Sequence, residues 1–130
     1  MECVTRTVLA FAVLATACGG TRSGLDGNQR VVALTPAELT TECQFIHDAY
    51  PVRAIMCDIN NQFMIGAADV AQCISQQQDF AMRNPACTVT VAQLEACDAD
   101  TWDEPDAYYC LAMPVKPTSC APLQTAECSN

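Results

Sequence analysis

Eight cysteines, Cys43, Cys57, Cys73, Cys87, Cys97, Cys110, Cys120 and Cys128, follow one another at spacings of 14, 16, 14, 10, 13, 10 and 8 residues. No feature of the chain constrains its fold more. None of the spacings is the Cys-x-x-Cys step of a zinc ribbon or a thioredoxin-like site. An even set of well-separated cysteines in about 100 residues reads instead as four disulfides, with the pairing open among roughly a hundred connectivities. Each bridge is worth about 2–4 kcal/mol through restriction of the unfolded chain. A domain of this size has a total stability of only about 5–15 kcal/mol, so the bridges carry much of the margin.

The apolar residues between the cysteines recur at helical intervals. Thr35-Pro36-Ala37-Glu38 is a helix start: Thr35 caps, Pro36 suits the first turn, Glu38 closes a capping box, and Leu34 and Leu39 staple it. Leu39, Cys43, Ile46 and Tyr50 then form one face, and Pro51 ends the helix. Val52, Ile55, Met56, Ile59 and Phe63 fit a second helical stripe, with Gly66 as its terminator. A third helix is predicted from Asp69 through Val70, Cys73, Ile74, Phe80 and Ala81 to Asn84-Pro85. Around Val89-Thr90-Val91-Ala92-Gln93-Leu94 the staple, cap and capping box return. Thr101 or Asp103 could cap a short helix through Tyr109, and Thr118 or Ser119 could open a final turn before Cys128. Runs alternating with period two are few. The expectation is an all-α, disulfide-stapled bundle of four to six short helices over residues 31–130, bridged between neighbouring helices. Met56, Met64 and Met82 read as fillers of gaps in its core.

The N-terminus carries an address. Residues 7–17 are uncharged and follow Arg6, a length that suits a signal-peptide core and falls short of a spanning helix. Ala15-Thr16-Ala17 is a small-x-small cleavage site, and Cys18 follows it. Leu14-Ala15-Thr16-Ala17-Cys18 resembles the lipobox of bacterial prolipoproteins, with Ala15 at the position where that family prefers Leu. The resemblance implies removal of residues 1–17, a diacylglyceryl group on Cys18 and acylation of the new N-terminus. Gly19, in place of an Asp, is compatible in that family with transfer to the outer membrane. Cysteine parity agrees: of ten cysteines, Cys3 leaves with the signal and Cys18 takes lipid, so an even set remains. Residues 18–30, rich in Gly, Ser, Thr and Asn, read as the lipidated cysteine and a flexible tether.

Candidates for chemistry are sparse. His47 is the only histidine and falls beside Asp48, off the Leu39-Cys43-Ile46 face, as a solvated or capping residue would. Ser and metalloprotease motifs and a phosphate-binding loop are absent from the sequence. Asp98, Asp100, Asp103, Glu104 and Asp106 form an acidic cluster around Trp102, a weak calcium candidate because Trp102 and the lack of a following glycine break the EF-hand pattern. Trp102, Tyr108 and Tyr109 read as core-filling aromatics, with a contact surface as the alternative. Residues 31–130 hold three basic residues (Arg53, Arg83, Lys116) against thirteen acidic ones. That balance excludes a phosphate-neutralising patch and so a nucleic-acid partner. The reading is a lipid-anchored cell-envelope protein with a non-enzymatic binding or structural role, without cofactor or metal. Its partners are the membrane, through the anchor, and an unidentified protein or small ligand. The alternatives are a secreted, unanchored cysteine-rich binding or inhibitor-like protein and, last, an enzyme using the carboxylates of residues 98–106.

Overall fold

The structure is a computed structural model that describes residues 21–66 and 69–129. The expected signal segment, Cys3 and Cys18, expected as the lipid-attachment residue, lie outside the described residues. Among the described residues four helices and one hairpin succeed each other: α1 (Pro36–Ala49), β1 (Arg53–Asp58), β2 (Asn61–Ile65), α2 (Val70–Arg83), α3 (Val91–Trp102) and α4 (Asp106–Tyr109). Short 3₁₀ turns at Val31–Ala33, Thr118–Gln124 and Ala126–Cys128 complete the order.

The caps read from the sequence form as expected. The Thr35 hydroxyl accepts from the Glu38 N–H while the Glu38 carboxylate accepts from the Thr35 N–H at 2.8 Å. Thr90 and Gln93 repeat the arrangement at the start of α3. Asp69 caps α2 through the Gln72 N–H, and Asn84 closes it. Further on, the start of α4 moves: Thr101 lies inside α3, Asp103 is that helix's C-cap, and Pro105 precedes α4.

The fold class differs from the all-α expectation, because residues 53–65 are an antiparallel hairpin. Ile55 pairs with Phe63 and Arg53 with Ile65, and the register slips between Met56 and Asp58. The Asp58 carboxylate accepts from the Asn60 N–H at 2.8 Å, fixing an Asx turn that reverses the chain. Burial along β1 then alternates, with Arg53, Ile55 and Cys57 inward and Ala54, Met56 and Asp58 outward. Residues Val52, Ile55, Met56, Ile59 and Phe63 satisfy a helical spacing only on paper: Ile55 is fully buried, whereas Ile59 at the turn is 91% exposed. The methionines are also surface residues, Met56, Met64 and Met82 all being exposed. Gly66 does not terminate a helix. It leaves β2 at φ +101°, and a Cβ there would lie 2.7 Å from the carbonyl oxygens of both Tyr50 and Pro51. Only glycine suits that crossing.

Four disulfides hold these elements: Cys43–Cys73, Cys57–Cys110, Cys87–Cys128 and Cys97–Cys120. The first joins α1 to α2, the second fastens β1 to the end of α4, and the last two bring the C-terminal turns onto the body. Two apolar clusters lie beneath. Val31, Cys87, Val89, Leu94 and Cys128 form one, and Leu39, Cys43 and Cys73 the other, with Ile46 and Ile74 against it.

Residues 21–30, expected as a tether, belong to the domain. The Val31 N–H donates to the Val89 carbonyl and the Val91 N–H to the Gln29 carbonyl, both at 2.9 Å, so the segment runs antiparallel along the entry to α3. The Arg30 guanidinium donates to the carbonyls of Pro85 and Cys87.

Candidate functional site

One turn after another, Leu94, Asp98, Thr101 and Trp102 fall on the same stripe of α3. That stripe forms one wall of a cleft of about 340 Å³. Ile46 and Tyr50 at the end of α1 form the opposite wall, Ile65 and Gly66 close one end, and Gln76 and Gln77 of α2 stand above the Cys73 disulfide. The Pro51 break is what delivers Tyr50 here: with the helix stopped, β2 and Gly66 return directly against its carbonyl. Tyr50 packs on Trp102 with ring centroids 5.5 Å apart, and Phe45 meets Tyr50 edge-on. Tyr109 donates its hydroxyl proton to the Thr101 carbonyl, which ties α4 to the end of α3.

Three carboxyl groups are gathered around this wall. Glu95 is buried and well satisfied, accepting from the N–H groups of Arg22 and Ser23 and from the Ser23 hydroxyl. Glu42 is fully buried, and neither of its oxygens receives a hydrogen bond of good geometry. Burial raises its pKa to about 7; the nearby Ser23 hydroxyl opposes the rise, and the charges of Glu95 and Asp98 add to it. Asp98 faces the cleft, and desolvation, with the Glu95 charge behind it, raises its pKa to about 6. Tyr50, buried with its hydroxyl making no hydrogen bond of good geometry, has its pKa raised by burial and then by the Asp98 charge, against the opposing Arg22 guanidinium.

Arg53 supplies the opposite charge on the outer side. Its guanidinium lies 4.8 Å from the centre of the Trp102 ring and 5.8 Å from that of Tyr109, and its Nη1 donates to Asp106 at 2.6 Å. A guanidinium on these rings is a cation–π contact.

The acidic residues singled out in the sequence are thereby separated. Asp98 lines the cleft, Asp100 and Asp103 are exposed on α3 and its cap, and Asp106 is spent on Arg53. Glu104, half-buried, follows in the link to α4. Among the described residues no three His, Cys, Asp or Glu side chains converge to hold a metal ion. His47 is half-buried with its Nδ1 unpartnered, a position that neither solvation nor capping describes, and it does not line the cleft. Trp102 and Tyr109 serve as walls of the cleft. Glu42, Glu95 and Arg22 escaped the sequence reading. Their one sequence signal is that Glu42 adjoins Cys43 on the buried face of α1.

Comparison with known proteins finds no matching family model, curated protein or solved structure.

Proposed function

We propose that this chain is an exported, non-enzymatic binding domain, held at the cell envelope through acyl chains on Cys18, that takes a small ligand in the cleft between α1 and α3. One observation carries the binding reading: a concavity of about 340 Å³ whose lining mixes aliphatic and aromatic walls with a few convergent polar groups. Small-molecule sites have that composition and a volume of about 300–1,000 Å³. Four disulfides belong to an oxidising, exported environment. Among the described residues no helix is long and apolar enough to cross a membrane. Acyl chains on Cys18 would supply attachment without such a helix.

Two experiments test the two halves. Titrating the oxidised protein with a fragment set that spans cations, neutral compounds and anions should give saturable quenching of Trp102, the only tryptophan. Amide shifts should be confined to the cleft around Tyr50, Gly66 and Asp98. If no class of fragment moves those amides, the binding reading fails. Metabolic labelling with palmitate should mark the native protein and not Cys18→Ala; an unlabelled native protein would replace the anchored reading with the secreted one.

A further inference from the structure

Asp98 is a carboxylate without a counter-ion. Among the described residues it accepts no hydrogen bond and forms no ion pair, and the charge that acts on it is the like charge of Glu95. Beside it Tyr50 is only 7% exposed, and its hydroxyl makes no hydrogen bond of good geometry, with only the Arg22 guanidinium near it. A buried hydroxyl and a partly desolvated carboxylate left in this state are costly unless something completes them. The rest of the wall is apolar and aromatic, which suits the body of an organic molecule and not a hydrated metal ion, which needs several oxygens. The same aromatic edge already accommodates a cation, since Arg53 lies over Trp102 and Tyr109 on the outer side. That guanidinium is consumed by Asp106. On the inner side the rings and the carboxylate are present, and Arg22, the cation that acts on Tyr50, forms no ion pair with Asp98.

We propose that the cleft binds a small organic cation, its ammonium seated between the Asp98 carboxylate and the Tyr50 hydroxyl and its apolar body laid on Ile46, Ile65, Leu94 and Trp102. This rests on the reading of the cleft as a small-ligand site and adds the ligand's chemical class. A neutral ligand of the same shape leaves Asp98 desolvated and unpaired, and an anion adds repulsion from Glu42, Glu95 and Asp98 together. The groups facing Asp98 are Glu95 on its own helix, Glu42 and Tyr50 from α1, and Arg22 of the N-terminal segment near Tyr50. Tyr50, its pKa raised, stays neutral; Glu95 and, above about pH 7, Glu42 set negative charge around Asp98 against the one guanidinium of Arg22, so the net field favours a cation. Burial holds Asp98 near a pKa of about 6. An alkylamine stays protonated to about pH 10, the range of a lysine side chain. Affinity therefore rises from pH 5 to about pH 8, as Asp98 and then Glu42 ionise, and stays level to pH 9.

The probes are phenethylamine, its neutral counterpart 2-phenylethanol and its anionic counterpart 3-phenylpropionate, titrated into the mature, oxidised protein. Trp102 emission and cleft amide shifts are the readouts. Phenethylammonium should bind at least tenfold tighter than either counterpart and should weaken about tenfold between pH 7.5 and pH 5. Asp98→Asn should remove the preference while leaving 2-phenylethanol unchanged, and Tyr50→Phe should cost a few-fold. The pH titration of the native protein serves even where a variant does not fold. Equal or tighter cleft binding of 2-phenylethanol or 3-phenylpropionate would overturn the cation assignment and leave the small-ligand reading standing. Silence of the cleft toward all three probes would also overturn it, while the broader fragment set decides separately whether the cleft binds anything.

Discussion

Helix α3 is packed in opposite ways along its length. Near its start Val91 and Leu94 are buried, and Leu94 joins Val31, Cys87, Val89 and Cys128 in a dry cluster clamped by a disulfide. One turn further, Glu95 and Asp98 share their surroundings with Glu42, Ser23 and Tyr50, where carboxyl groups sit in reduced contact with water. The first region satisfies every local rule of packing. In the second Glu95 is satisfied by Arg22 and Ser23, while Glu42 breaks the rule that buried carboxyls are paired. In a domain that a few kcal/mol decide, the apolar end supplies the margin that the polar end uses. Strain of that kind gathers where a protein binds.

The contrast can be broken at several points. Full reduction of the four disulfides should abolish the cooperative melt and the near-UV signal altogether; a melt unchanged after reduction would mean that the apolar clusters suffice alone. Single bridges should rank by burial as well as by loop length. Replacing Cys43 and Cys73, both buried, with alanine should cost about 3–5 kcal/mol in denaturant unfolding. The same change at Cys57 and Cys110 should cost about 2–3 kcal/mol despite its longer loop of 53 residues. In the dry cluster Val89→Ala should destabilise by about 2 kcal/mol at any pH between 5 and 8.

At the polar end the sign changes with pH. The folded-state pKa of Glu42 is raised above its unfolded value, so the folded protein holds the proton more tightly. Its contribution is fully present below about pH 4.5 and is lost as pH rises through about 7. Stability should therefore increase as pH falls from 8 to 5, and Asp98 adds in the same direction, its contribution lost as pH rises through about 6. Glu42→Gln should flatten that trend and raise stability by about 1 kcal/mol at pH 8, with little change at pH 5. At still lower pH the slope should reverse, because the Thr35 N–H bond holds the Glu38 carboxyl below its usual range, a contribution lost on protonation. Glu95→Ala should cost about 1–3 kcal/mol and speed hydrogen exchange at Arg22 and Ser23, whose N–H groups lose their acceptor. Smallest of all, Thr35→Ala and Thr90→Ala should each cost about 1 kcal/mol.

What the sequence shows and what it hides divide along physical lines. Capping boxes at Thr35 and Thr90, the Asp69 cap and the Asn84 stop are local, so four residues suffice to read them. The four disulfides follow from cysteine number and spacing, while their partners depend on tertiary placement. The hairpin was hidden because its inward positions are Arg53, Ile55 and Cys57, only one of them plainly apolar, while Val52, Ile55, Met56, Ile59 and Phe63 imitate a helix. Its own signal was the Asp58-Ile59-Asn60-Asn61 turn. Of the site, Ile46, Tyr50, Cys73 and Leu94 lie on faces legible as buried, and Trp102 and Tyr109 as aromatic packing. The burial of Glu42 and Asp98 was not legible, although Asp98 stood among the acidic candidates, because a carboxylate on a helix is solvated unless a distant segment covers it. Here residues 21–25 lie against Glu95, 72 positions away in sequence at Ser23.

The direct test of this asymmetry is a pH titration of carboxyl carbon shifts by NMR on the oxidised domain. Midpoints of about 7 for Glu42 and about 6 for Asp98 are expected. If Glu42 and Asp98 instead titrate at the ordinary values of a solvated carboxyl, about 4, both stand in water, and the polar end of α3 is ordinary surface.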